Sequence, residues 1–292
     1  MKKIYTILFA LAALIGCQKV DTPTLEDDGQ MKFEMSLPCN TKATAAEFEN
    51  GDHVGIFVVE YNDDLPFPLQ ISGNWANNVK TQYDGSSWKP SKKIYWPENR
   101  VDVYGYYPYM QLNSVDEQLF SVALDQDVPE SAEQLSGYEQ SDLLWAKAEG
   151  MSQDSEIVTL SYKHILSKLI INLHKGPDFE GEFPDDGTIY IHNTVTSARI
   201  DLASGVAVKD MTTATSTIKA HKIDNVTYEA IVVPQRLETR RPLIEYVAGD
   251  VSFLLEDLFY FRNEKEHVLN LTINSSPDQI EIEVGGSVGE WN

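Results

Sequence analysis

The chain has 292 residues, with 23 Lys and Arg against 45 Asp and Glu, for a formal net charge of −22. This balance excludes nucleic acid as a partner, because phosphates need a basic footprint, and it excludes broad electrostatic adhesion to anionic lipid. It describes a soluble, self-repelling surface, and the length leaves room for two ordinary domains once a processed segment is removed.

The N-terminus reads MKKIYTILFALAALIGCQKVD. Lys2 and Lys3 form a positive n-region. Ile4 to Ile15 is uncharged and mostly apolar, and Gly16 and Cys17 follow. The run is too short to span a bilayer as a helix but suits a signal-peptide h-region. A buried N-terminal helix is the other reading of an apolar run. The order of n-region, h-region and Cys selects a signal peptide over residues 1–16. The ending LIGC resembles a bacterial lipobox, in which the Cys is acylated and becomes the first mature residue. Acyl chains on Cys17 hold a chain to a membrane surface without a transmembrane segment. Only one other Cys, Cys39, exists. That excludes a disulfide framework and a Cys-based metal site, and with no identifiable His partner Cys39 reads as incidental rather than nucleophilic.

Residues 17–30 lack apolar periodicity and read as a flexible tether with an acidic end. Strands follow. In KFEMSL, Phe33, Met35 and Leu37 alternate with Lys32, Glu34 and Ser36, the period of a half-buried strand that Pro38 ends. HVGIFVVE (53–60), KKIYWP and RVDVYGYY read as further strands, the last two as a hairpin around Pro97-Glu98-Asn99. Residues 111–140 are polar and irregular, an excursion with one short helix. DLLWA (142–146), EIVTLSYK and SKLIINLH are apolar again. In the second half TIYIHN, VTYEAIVVP, PLIEYVA, VSFLLED, HVLNLTIN and DQIEIEV are all strand-like. Short strands at this spacing, with Gly, Pro, Asn and Asp between them, predict β-sandwiches. No short repeat suggests a solenoid or propeller. The predicted boundary lies near His164–Lys168, giving domains over 31–165 and 166–292.

No motif for chemistry emerges. There is no P-loop, no G-x-S-x-G and no H-E-x-x-H. The six His are scattered with no metal-ligand spacing, and His164, at a strand end, reads as structural. Acidic residues are numerous enough to hide a glycosidase pair, whose separation in space the sequence does not give. PDDG (184–187) reads as a turn rather than a Ca²⁺ loop. No cofactor or metal is expected. Between Ile94 and Tyr109 lie Tyr95, Trp96, Tyr104, Tyr106, Tyr107 and Tyr109. Exposed, these rings would stack on sugars. Set among β-branched residues at strand spacing, they read instead as the inside of a β-domain.

Several stretches in order resemble fimbrillin-like surface lipoproteins of Bacteroides-type bacteria. TKATAAEFENGDHVGIFVV (41–59) is similar to a T-[RK]-A segment before an F-x-x-G-D-x-[IV]-G-[VI] strand. IYWPENRVDVYGYYPY is similar to a Y-W-P turn followed by a strand ending Y-x-P-Y. DLLWAKA and VTLSYKHILSKLIINL match D-L-[LM] and [FY]-x-H-x-[LM]-[SA]-[KR]-L patterns, and VGEWN resembles a closing Trp segment. The resemblance implies two tandem transthyretin-like, Greek-key β-sandwich domains and a stalk, anchor or tip role in a fimbrium (pilus). It implies no enzyme activity. It implies partnership with other fimbrial subunits as a homo- or heteropolymer, with the outer membrane through the Cys17 lipid, and with a host or bacterial surface receptor. In polymerising members a protease cuts after a basic residue and frees an N-terminal strand, whose groove a neighbour's strand then fills. Here the implied cut is at Lys42, and the displaced strand carries Phe33, Met35 and Leu37. The implied donor carries Ile280, Ile282, Val284, Val288 and Trp291. Cys39 departs from the pattern, and the chain ends one residue after Trp291, which leaves the anchor and tip roles open beside the polymerising one. A surface glycan-binding lipoprotein of a sugar-uptake system is the alternative, and it requires exposed rings in the 94–109 stretch.

Overall fold

A computed structural model describes residues 29–37, 47–132, 134–274, 280–283 and 287–291. Among these the chain is all β apart from two single 3-10 turns, Glu139–Ser141 and Gln153–Ser155. The architecture is built outward from Val101–Tyr107 (VDVYGYY), which is buried at every position. It pairs antiparallel with His53–Asn62 on one side and Leu144–Met151 on the other. Ala76–Tyr83 and Trp88–Pro90 extend the sheet beyond His53–Asn62, and Lys163–His164 closes its far edge.

Successive residues of a strand point to opposite faces, and here both faces are apolar. Val54, Ile56, Val58, Val101, Val103 and Tyr107 join one cluster, with Met31, Phe33, Val158 and Leu160. Phe57, Val59, Tyr104 and Tyr106 join a second cluster, which continues into Leu169, Ile171, Ile191, Ile231 and Ile244 of the second half. Gly55 lies opposite Tyr106. A Cβ at Gly55 would lie 2.3 Å from the Tyr106 ring, so only glycine lets that ring lie across the neighbouring strand.

The second half is a sandwich. One sheet is ordered His221–Lys222, Thr227–Val232, Ser167–Lys175, Lys265–Ile273 and Ile280–Glu283, with Val288–Glu290 also on Lys265–Ile273. The other is ordered Thr215–Lys219, Thr188–Val195, Gln235–Ala248 and Val251–Phe261. The inner residues of both sheets form the second cluster. Within it Lys168 is fully buried, its Nζ 3.1 Å from Glu229 and 3.7 Å from Glu266 on the strands to either side. The Tyr138 hydroxyl, from the first half, is pushed well above its ordinary pKa by burial and then by the Glu229 charge.

Three expectations need correction. Ile94–Trp96 makes no hairpin with Val101–Tyr107. It bridges instead to the segment just before Lys32–Ser36, with Gln30 opposite Tyr95, because both edges of Val101–Tyr107 are already occupied. The polar 111–140 excursion contributes Gln118–Ser121 as a strand on Ser197–Asp201 of the second half. Of the six rings, Tyr104, Tyr106 and Tyr107 are buried as expected for a core, Trp96 and Tyr109 are half-buried, and Tyr95 is exposed.

His267 gives the fold a titratable point. Its Nε2 accepts the Arg262 backbone N–H at 3.0 Å, and the Phe259 and Phe261 rings pack against it. Burial, and then the Arg262 charge, lower its pKa from 6.5 to about 4. The neutral ring is the folded form, so its contribution is complete above pH 6.5 and is lost as pH falls towards 4. Urea unfolding is expected to lose up to about 3 kcal/mol across that window from this group, and H267Q is expected to flatten the loss.

Candidate strand-exchange site

The first described strand, Lys32–Ser36, obeys its sequence pattern. Phe33 is buried, Met35 and Leu37 are half-buried against the same cluster, and Lys32, Glu34 and Ser36 face out. Met31, just before it, is 1 % exposed. The strand pairs with a single partner, Ile157–Ser161, in parallel register from Lys32 opposite Ile157 to Ser36 opposite Ser161. Parallel pairs are slightly weaker per residue than antiparallel ones. At its start the Met31 N–H donates to the Ile94 carbonyl (2.8 Å), and the Trp96 N–H donates to the Gly29 carbonyl (3.0 Å). At its end the Tyr162 N–H donates to the Ser36 carbonyl (2.9 Å), and the Tyr162 hydroxyl reaches Met35 Sδ at 3.6 Å.

The strand is therefore held at one edge and by an apolar face. Burying Met31 and Phe33 is worth roughly 1.5–3 kcal/mol each. Without the strand, Ile157–Ser161 would present unpaired backbone beside exposed apolar surface, a template for another strand. Phe48 is anchored edge-on to Trp88 (4.8 Å), Tyr162 (5.4 Å) and Tyr107 (5.7 Å). Asp52 accepts from the Tyr107 hydroxyl and the Glu49 N–H, and burial raises its pKa. Phe48 and Asp52 thus pin the chain ahead of His53–Asn62.

Cys17, Cys39, Lys42 and Val284 lie outside the described residues. Ile280 and Ile282 fall in Ile280–Glu283, paired antiparallel with the protein's own Lys265–Ile273. Val288 is half exposed on a strand along Lys265–His267. Trp291 is 4 % exposed. Its ring stacks on His164 at 3.9 Å and 6°, and His164 Nδ1 lies 2.7 Å from Asp142 Oδ1. The structure thus brings Asp142, His164 and Trp291 together from three distant stretches, a convergence that no local sequence signal announces. It leaves the displaced-strand and donor candidates on separate sheets.

The other polar sites look structural. Both His192 nitrogens are engaged, by Thr217 Oγ1 and Glu245 Oε2, each at 2.9 Å. Asp84 is held to about 2 by hydrogen bonds from Ser86 and Ser87 within a turn. PDDG is a turn in which the Gly187 N–H donates to the Pro184 carbonyl. Among the described residues no group of three His, Cys, Asp or Glu is placed to hold a metal, and no helix is long and apolar enough to cross a membrane.

A family model described as fimbrillin-like matches residues 41–291. Among solved structures the chain is similar to a candidate cell adhesion protein from Bacteroides uniformis, with TM-score 0.65 and 23 % identity over 91 % of this chain and 99 % of that one. One from Bacteroides ovatus gives TM-score 0.69 and 16 % identity over 90 % and 98 %. One from Bacteroides thetaiotaomicron gives 0.52 and 12 % over 84 % and 93 %. At these identities the likeness shows a shared β-sandwich fold. No curated protein matches the sequence.

The one-edged seating of the first strand makes a graded expectation. F33A should lower the free energy of unfolding by about 3 kcal/mol. E34A, on the outward face of the same strand, should stay within about 0.5 kcal/mol of the parent. Equal effects in urea titrations would mean that the inward face does not hold the strand.

Proposed function

Since the chain belongs to the fimbrillin-like family, we propose that it is a surface fimbrial component assembled by exchange of its first strand. The observation that carries the reading is the seating of Lys32–Ser36, an apolar strand with one parallel neighbour. Further along the chain stands the Phe48 anchor. A cut after Lys42 would sever the strand from the frame without touching the aromatic cluster around Phe48. The groove then takes an extended segment with apolar residues at alternate positions, because backbone pairing supplies affinity and the side-chain slots supply specificity.

In this proposal the donor is the C-terminal segment of a neighbouring subunit, bearing Ile280, Ile282, Val284, Val288 and Trp291. In the uncut chain that segment lies on its own sheet, and Trp291 is stacked on His164. Donation therefore requires those contacts to open, so an isolated chain stays monomeric. Acylated Cys17, after removal of residues 1–16, would attach the subunit to the outer membrane. The units 31–165 and 166–292 would serve as successive domains, with the receptor for adhesion left to partner surfaces. The role is structural rather than enzymatic.

The test is limited digestion of the purified chain with a Lys/Arg-specific protease, read by intact mass and N-terminal sequencing. The expected product begins at Ala43, and K42Q resists the cut. A synthetic peptide covering residues 278–292 should bind the cut chain and not the uncut one. Surface filaments whose subunits all still begin at acylated Cys17 would sink the polymerising role.

A further inference from the structure

Of the rings between Ile94 and Tyr109, Tyr95 is the exposed one, at 46 %. Trp75, also 46 % exposed, meets the backbone of Tyr95. The Trp75 indole N–H donates to the Tyr95 carbonyl at 2.7 Å. The one polar atom of the indole is thereby used, and what it shows to solvent is ring surface.

Both rings rest on pinned backbone. The loop before Trp75 is closed by Asn74, whose Oδ1 accepts the Gln70 N–H (3.1 Å) and whose Nδ2 donates to the Gln70 carbonyl (2.6 Å). The Asn74 N–H in turn donates to Asn77 Oδ1 at 3.0 Å. Directly after Trp75 the chain enters Ala76–Tyr83. Tyr95 is bridged to Gln30, and its neighbours Ile94 and Trp96 are bonded to Met31 and Gly29. A ring fixed before a ligand arrives spends little conformational entropy on binding.

The size of the patch decides what fits. Aromatic side chains bury about 150–250 Å² when covered, so two half-exposed rings offer roughly 200 Å². Leu65, Phe67 and Ile71, exposed just before Trp75, add to this area, yet the total still falls short of the roughly 800 Å² per partner of a stable protein interface. That is the footprint of one or two sugar rings. A pyranose presents C–H groups whose partial positive charge faces the negative π surface. The exposed Gln70 side chain, in the loop before Trp75, is a polar group within the same loop for its hydroxyls. A net charge of −22 disfavours polyanionic glycans.

We propose that Trp75 and Tyr95 form a stacking platform for a neutral glycan. The site shares no side chain with Lys32–Ser36 or the C-terminal segment, and its test keeps the chain uncut, where residues 29–31 still hold Ile94 and Trp96 whether or not strand exchange occurs. The test uses the uncut chain labelled with 5-fluorotryptophan. Its five Trp give five ¹⁹F resonances, and W75F identifies that of Trp75. The probes are an array of neutral glycans, followed by titration of the best array hit, or of lactose, cellobiose and methyl α-mannoside if none scores, to about 100 mM, which covers millimolar affinities. The expected result is a shift of the Trp75 resonance with that of buried Trp88 unmoved. W75A and Y95A should weaken binding at least about tenfold, while W75F, which keeps a ring, should weaken it less. W75A must melt like the parent, and if it does not, Y95A carries the comparison. The proposal is overturned if no probe moves the Trp75 resonance or if both alanine variants bind normally. It is equally overturned if that resonance moves with protein concentration alone, which would mark a self-association surface.

Discussion

Everything in this fold follows from one strand that is buried on both faces. Val101–Tyr107 sends Val101, Val103 and Tyr107 to one side and Tyr104 and Tyr106 to the other. A sheet with one solvated face alternates apolar and polar residues, but this one cannot, so each face needs its own cover. One cover is the two-stranded layer of Lys32–Ser36 and Ile157–Ser161. The other is an apolar cluster shared with the second half of the chain. The single charged residue of the strand, Asp102, is buried because it is fully used. It accepts from the Tyr61 hydroxyl and the Gly150 N–H and pairs with Lys147 at 3.1 Å.

The two covers are built differently, and the difference separates what stays from what can leave. Between the halves the contacts are polar as well as apolar. Trp145 lies over the 202–205 turn, its indole donating to the Leu202 carbonyl at 2.7 Å, and a Cβ at Gly205 would lie 2.3 Å from the ring. Asp142, His164 and Trp291 form a stacked, hydrogen-bonded column at the same junction. Lys168 sits between two carboxylates nearby. Removing one member of such a buried set leaves an uncompensated charge, which costs several kcal/mol. Lys32–Ser36 carries no buried charge, and its hold is one parallel ladder and an apolar face. Apolar burial is non-directional, so another segment of similar pattern can replace it.

The sequence made some of this legible and hid the rest for a physical reason. Period-two alternation exposed Phe33, Met35 and Leu37 as the inward face of a strand, and Val158 and Leu160 likewise, because side-chain direction is a local property. It did not reveal that these two strands pair with each other, in parallel, across more than a hundred residues. The same limit explains the Ile94–Trp96 error. A Pro-Glu-Asn link looks like a hairpin turn, but pairing is decided by which edges are free. Strands 197–219 went unseen because they are short and each buries only one or two side chains. Asp142, His164 and Trp291 each belonged to a quoted motif, yet their contact is a property of the fold. Trp75 carried no signal at all, since exposure and the Tyr95 carbonyl partner appear only in three dimensions.

The aromatic stretch from Ile94 to Tyr109 therefore has two parts with opposite environments. From Val101 onward its rings face the interior, and they set the shape of the core that the first strand must fit. Before Val101, Ile94–Trp96 lies at the margin, where its backbone is bonded to Gly29 and Met31. The start of the exchangeable strand and the support of the Tyr95 ring are thus the same two hydrogen bonds. A strand supplied by another subunit would restore the apolar face by matching Phe33 and Met35. It would restore the support of Tyr95 only by also reaching the register of residues 29–31. Length at that end of the incoming strand, rather than its apolar pattern, decides whether the edge at Ile94 and Trp96 is paired or open to water.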